Sequence, residues 1–155
     1  MKAQTLHINV QKGLLSELPQ AEQDLCLSAL AACKDAYAPY SSYHVGAAVL
    51  LEDGTVVAGN NQENVAYPSG LCAERTALFY ANARYPHLAV QAIALTAVHK
   101  GEQVAVVSPC GSCRQVLAEA ERRFGKPLPV LCFGKGDSIQ RFDSVADLLP
   151  FSFEM

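Results

Sequence analysis

The chain predicts an α/β fold, a three-layer α/β/α sandwich around a mixed sheet, and three observations predict it. Helical and strand periodicities interleave along the chain in the order helix, hairpin, helix, strand, helix, strand. The strand-like runs are short, apolar and bounded by turn residues, as strands covered on both faces are. The length, 155 residues with half of them hydrophobic and 17% charged, suits one compact core and is short for two.

The first twenty residues alternate weakly (Leu6, Ile8, Val10) and then meet Leu14, Leu15, Leu18 and Pro19. They are expected to form an appended strand and turn, residues 1–20, ahead of a single domain over 21–155. From Ala21 to Ala38, Leu25, Ala29, Ala32, Cys33 and Ala36 recur at three- and four-residue steps, so a helix is expected there, ended by Pro39. Val45–Leu51 reads as a strand, Asp53-Gly54 as a hairpin turn and Thr55–Ala58 as the returning strand. Cys72–Ala83 is rich in helix formers and stops before Pro86. Leu88–Val98 reads as a central strand, with Val104–Val107 continuing or flanking it after the Lys100-Gly101 turn. Cys110–Arg123 is expected to be helical and closed by Gly125, followed by a strand over Leu128–Phe133 and a short helix over Val145–Leu149. The two cysteine-bearing helices should lie side by side on one face.

Net charge is −3, from 12 Lys and Arg against 15 Asp and Glu. The basic residues are scattered, without the stripe that grips a phosphate backbone, so no nucleic-acid partner is expected. No apolar stretch approaches the length of a membrane span, and the N-terminus lacks the unbroken apolar run of a secretory signal. No membrane partner and a cytoplasmic location are therefore expected. In that reducing setting six cysteines in a chain of this size read as free thiols, available to metal, more than as a disulfide framework.

Pro109-Cys110-Gly111-Ser112-Cys113 places a C-x-x-C at a helix start. Alone it fits a zinc half-site, a redox pair or two buried thiols. Leu71-Cys72-Ala73-Glu74-Arg75 at the start of another helix favours the first reading. Catalytic zinc takes three protein ligands and keeps a fourth position open. Cys72, Cys110 and Cys113 supply three thiolates from two helix N-termini, where unpaired N–H groups and the helix dipole favour negative charge. One Zn²⁺ per chain is expected. No other cysteine or histidine sits at a ligand-like spacing to close the site as a purely structural one. Glu74, two residues beyond a ligand, lies near the metal with its carboxylate free for proton transfer. Three thiolates on one divalent ion leave a net negative charge, and Arg75, with Arg114 as the alternative, is the candidate to offset it.

These blocks extend further. Tyr37-Ala38-Pro39-Tyr40-Ser41-Ser42-Tyr43-His44-Val45-Gly46-Ala47-Ala48, Asn61-Gln62-Glu63-Asn64, Cys72-Ala73-Glu74-Arg75-Thr76-Ala77 and Pro109-Cys110-Gly111-Ser112-Cys113-Arg114-Gln115-Val116 together resemble the small cytidine deaminases. The resemblance runs from about residue 21 to the C-terminus. It implies a cytidine-deaminase-like fold and zinc-dependent hydrolysis of cytidine and deoxycytidine in pyrimidine salvage, with Glu74 as the catalytic proton carrier. It also implies Asn61 and Glu63 on the ribose, Tyr43 (where the family has Phe) on the pyrimidine, and Ala73 among the substrate contacts. His44 stands where the family has Pro. The family's tail pattern implies a homotetramer with shared sites, Phe153 reaching a neighbour's pocket and Phe151 as the alternative.

Three other readings compete. A deaminase of cytosine-bearing antibiotics would share the metal motifs but not the Asn61-x-Glu63 and Tyr43 pattern. A nucleic-acid-editing deaminase needs a basic groove and aromatic platforms. A non-enzymatic zinc module would leave Glu74 without a role. Nothing in the sequence ranks cytidine against deoxycytidine.

Overall fold

The computed structural model describes all 155 residues, Met1–Met155. Its elements are β1 (Gln11–Leu14), α1 (Gln20–Ala32), β2 (Tyr43–Leu51), β3 (Val56–Asn60), α2 (Ala73–Arg84), β4 (Val90–His99), β5 (Glu102–Gln103), α3 (Gly111–Phe124), β6 (Val130–Gly134) and β7 (Ser138–Phe142). The sheet runs β1-β7-β6-β4-β2-β3, with β5 on the end of β4. Only the β4–β6 pair is parallel and the other pairs are antiparallel, so the sheet is mixed, as expected.

Strand alternation sorts the core into two layers. Ala47, Val49 and Leu51 of β2, Ile93 and Leu95 of β4, and Val130 and Cys132 of β6 face α2 and α3. Their neighbours Ala48, Ala92, Ala94, Leu131 and Phe133 face α1, meeting Leu25, Cys26 and Ala29. The result is the three-layer sandwich, with both cysteine-bearing helices on one side. Gly59 lets α2 sit against β3, because a Cβ there would lie 2.6 Å from the backbone nitrogen of Ala77. Gly125 closes α3 in the left-handed conformation at φ 61°.

Four expectations need correction. The first helix stops at Ala32 and finishes in a 3₁₀ turn over Cys33–Asp35 instead of reaching Ala38. Tyr37 is drawn off to bridge the loop at Gln62, donating its N–H to Asn61 and accepting one from Glu63. Val104–Val107 is not a strand. The slot beside β4 there is filled by β6, so only Glu102–Gln103 pairs, with Val98 and His99. Ser138–Phe142 is a full strand that no sequence signal announced. The expected last helix is a 3₁₀ turn over Val145–Asp147. At the N-terminus Leu6, Ile8 and Val10, whose alternation suggested the appended strand, lie in residues 1–10, which are exposed and without regular structure; the strand is instead Gln11–Leu14, and it pairs with β7 in the domain's own sheet.

Candidate active site

Cys72 is the N-cap of α2 and Cys110 the N-cap of α3, and Cys113 follows one turn into α3. Because the two helix starts converge, the three sulfurs lie within 4.8 Å of one another. The Sγ atoms of Cys72 and Cys110 are 3.9 Å apart. Two sulfurs on a tetrahedral zinc at about 2.3 Å would stand about 3.8 Å apart, so the donor set fits that ion in type, number and spacing. Cys113 is buried, Cys72 half-buried and Cys110 exposed, which leaves the cluster reachable from one side.

Charge in the cluster is unevenly held. The Cys72 thiol is brought down to about 5, first by the hydrogen bond from Cys113, then by Arg75 and Cys110. The same bond pushes Cys113 up, and burial adds to it. Cys72 is therefore the sulfur that this arrangement most favours as a thiolate, the form that binds metal. Arg75 donates through Nη2 to the Cys72 sulfur at 3.6 Å, and its buried Nε has no partner. Arg114 turns the other way, donating to the carbonyls of Pro109 (2.8 Å) and Leu148 (3.0 Å), so Arg75 is the cation beside the sulfurs.

Glu74 is only 5% exposed. Burial pushes its carboxyl above the usual carboxylate range. That is the direction a group needs if it must both accept and return a proton near neutrality.

Beside the cluster lies an open cavity of about 420 Å³ lined by Tyr40, Ser41, Asn61, Glu63, Tyr67 and Cys72 among others. Asn61 and Glu63 thus come together with the metal edge. Asn61 already uses its amide on β2, accepting from the Val45 N–H at 2.8 Å and donating to the Tyr43 carbonyl at 2.9 Å. Tyr43, Ala73 and Phe153 do not line this cavity. Tyr43 shares the α2/α3 face of β2 with Val45 and packs its ring beside His99, centroids 5.7 Å apart. Ala73 is fully buried beneath the helix start. Phe153 lies on α3, its backbone held by Gln115 at 2.9 and 3.0 Å and by Arg122 at 3.1 Å, with the side chain exposed. Tyr40 and Tyr67, edge to face at 6.3 Å on the cavity rim, were not singled out from the sequence, although Tyr40 sits inside the first motif block.

Residues 19–124 match the family model described as the cytidine and deoxycytidylate deaminase zinc-binding region. The chain belongs to this family. The deaminase family match is joined by relatives along most of the chain. The cytidine deaminase of Sporosarcina psychrophila is 45% identical over 77% of this chain and 82% of its own. That of Halalkalibacterium halodurans is 46% identical over 63% of this chain and 70% of its own. The crystal structure of cytidine deaminase from Burkholderia pseudomallei superposes with a TM-score of 0.70 at 41% identity, covering 84% of this chain and 97% of that one. The fold, the deaminase family and its zinc chemistry agree with the expectations drawn from the motif blocks.

Proposed function

We propose that this deaminase hydrolyses cytidine and deoxycytidine to uridine and deoxyuridine, releasing ammonia. The observation that carries the reading is the convergence of three cysteine sulfurs with the buried Glu74, which lies beside Cys72 and Cys113, while Cys72 also lines an open cavity. Cys72, Cys110 and Cys113 would hold one zinc. Bound zinc supplies the Lewis acidity that makes water a nucleophile near pH 7. Glu74 takes the proton of the attacking water and delivers it to N3 of the pyrimidine, which makes C4 electrophilic. After oxygen adds at C4, Glu74 takes the remaining proton of the new C4 hydroxyl and passes it to the amino group; the C4–N bond breaks, C4=O forms and ammonia leaves. Arg75 holds the Cys72 thiolate and offsets part of the cluster's charge.

The same reading puts Asn61 and Glu63 on the ribose, Tyr43 and Ala73 at the base, and Phe153 of one subunit in the site of another within a homotetramer. Exposed Phe153 on a pinned backbone, and a cavity open on one side, support this assignment. Residues 21–155 form the deaminase domain and 1–20 an extension whose strand β1 is added to the domain's sheet, a division supported by a family match that begins at residue 19. A cytoplasmic place in pyrimidine salvage is supported by six free cysteines and a nucleoside-sized cavity, and no helix is long and apolar enough to cross a membrane.

The deciding experiment is ammonia release from zinc-loaded protein with cytidine, deoxycytidine, cytosine, a cytidine nucleotide and a short single strand. Both nucleosides should turn over with higher kcat/KM than the base, since sugar contacts orient C4. Equal turnover of cytosine and cytidine would remove Asn61 and Glu63 from the ribose. Truncation after Pro150 should lower kcat/KM more than melting temperature, and light scattering on the intact chain should give a tetramer.

A further inference from the structure

The sugar assignment of Glu63 leaves open how its carboxylate is held, and the loop before β2 supplies an answer. Glu63 Oε2 accepts the backbone N–H groups of Tyr40, at 2.9 Å, and Ser41, at 3.3 Å. Its Oε1 accepts the hydroxyl of Ser41. The direction of that last bond is forced. The Ser41 oxygen itself accepts the Tyr43 N–H at 3.0 Å, so its own proton is left for Glu63. A carboxylate offers roughly four acceptor positions. Two on Oε2 and one on Oε1 are filled from within the chain, and the one left is on Oε1, the atom Ser41 holds. Tyr40, Ser41 and Glu63 all line the cavity beside the cysteine cluster. Ser41 is also the largest of the influences that hold the Glu63 carboxyl below its usual range, so the group stays an acceptor.

We infer that Ser41 is a positioning residue for the sugar: its hydroxyl locks the Glu63 carboxylate with a single acceptor position free, which takes one hydroxyl of the nucleoside. The inference rests on the proposed ribose role of Glu63. Ser41 touches no reacting atom; it acts through Glu63. The lock also spans both sides of the turn. Ser41 couples Glu63 to the Tyr43 N–H at the start of β2, and the neighbouring Ser42 carbonyl meets His99 Nδ1 at 3.0 Å. Without the hydroxyl, Oε1 gains a second free position and the carboxylate is held only through Oε2, so the sugar loses a preset partner.

The test is steady-state kinetics on the zinc-loaded enzyme with S41A, E63Q and the double variant. The substrates are cytidine and its analogues lacking the 2′, the 3′ or both of these hydroxyls. S41A should raise KM for cytidine by about tenfold, the scale of one hydrogen bond to a charged group, while moving kcat much less. On the analogue for which E63Q no longer matters, S41A should have no effect either. The double variant should be no worse than E63Q alone, because the two residues act as one unit. An unchanged KM for cytidine in S41A, with E63Q impaired, would overturn the role of Ser41 and leave Glu63 on the ribose. An S41A loss of equal size on every analogue would do the same, since it would mark a general loop defect. An E63Q enzyme with unaltered KM on all substrates would overturn the ribose role of Glu63 and this inference with it.

Discussion

Cys26 and Cys72 carry the same side chain on opposite faces of one sheet, and their surroundings give them opposite chemistries. Cys26 lies in the middle of α1, fully buried against the sheet, and burial pushes its thiol up to about 12. Cys72 lies at the first cap of α2 among other sulfurs, with Arg75 in reach, and is brought down to about 5. A thiol facing inward from a helix middle packs as a small hydrophobe. At the start of α2, beside two other sulfurs and Arg75, it is favoured as an anion, the form that can bind metal. The α1 face therefore holds the fold, and the α2/α3 face holds both core and chemistry.

The largest separation of the two faces should come from Glu74→Gln. Loss of general acid–base catalysis typically removes 10²–10⁴-fold in rate, and the proposed mechanism gives both proton transfers to this one carboxylate. Turnover should fall by at least about a hundredfold while zinc content and melting temperature stay near wild type. A variant keeping most of its kcat would assign the proton transfers to another group. Zinc content tests the next difference. Cys72→Ser, Cys110→Ser or Cys113→Ser should each lose most of the single zinc, whereas Cys26→Ala and Cys33→Ala should keep it and lose only stability, about 1 kcal/mol each. Zinc at full occupancy in Cys110→Ser would break the ligand set.

The smallest effect is a pH dependence. Cys26, Cys33 and Cys132 are pushed up to about 12, 11 and 12 from an ordinary value of 9.0, chiefly by burial. A raised thiol lends stability that is complete below the unfolded value and lost as pH climbs through the folded one. Melting temperature should therefore fall on going from pH 9 towards 11–12. A Cys26→Ala, Cys33→Ala double variant should show a shallower fall. Identical slopes would mean that these thiols ionise as easily inside the fold as outside it.

The metal cluster was legible because each part is local. Cys110 and Cys113 are one helical turn apart, Cys72 and Glu74 are two residues apart, and both pairs open helices. The central strands were legible for the same reason: β2, β4 and β6 are continuous apolar runs. Strand β7 was not. Its buried apolar residues, Ile139 and Phe142, are three apart and face different layers, so no period of two exists to find. Its partner β1 was missed as well: the alternation at Leu6, Ile8 and Val10 lies just before it, and Gln11–Leu14 becomes a strand only by pairing with β7. The cavity rim escaped similarly. Tyr67 lies in a 3₁₀ turn in an exposed loop, and only the folded chain sets it against Tyr40. Arg114 offered the same charge as Arg75, but its reach to two carbonyls depends on where Leu148 ends up.

The clamp on the tail has a consequence for assembly. Gln115 and Arg122 fix the main chain of Phe153 while the residue stays 69% exposed. Flexible termini that engage a partner must lose backbone freedom on contact, which weakens association. Here that ordering has already taken place inside the free chain. In the proposed tetramer, the surface receiving Phe153 would meet a pre-set anchor held on α3, and the tail's contribution to binding would come from the ring's own burial.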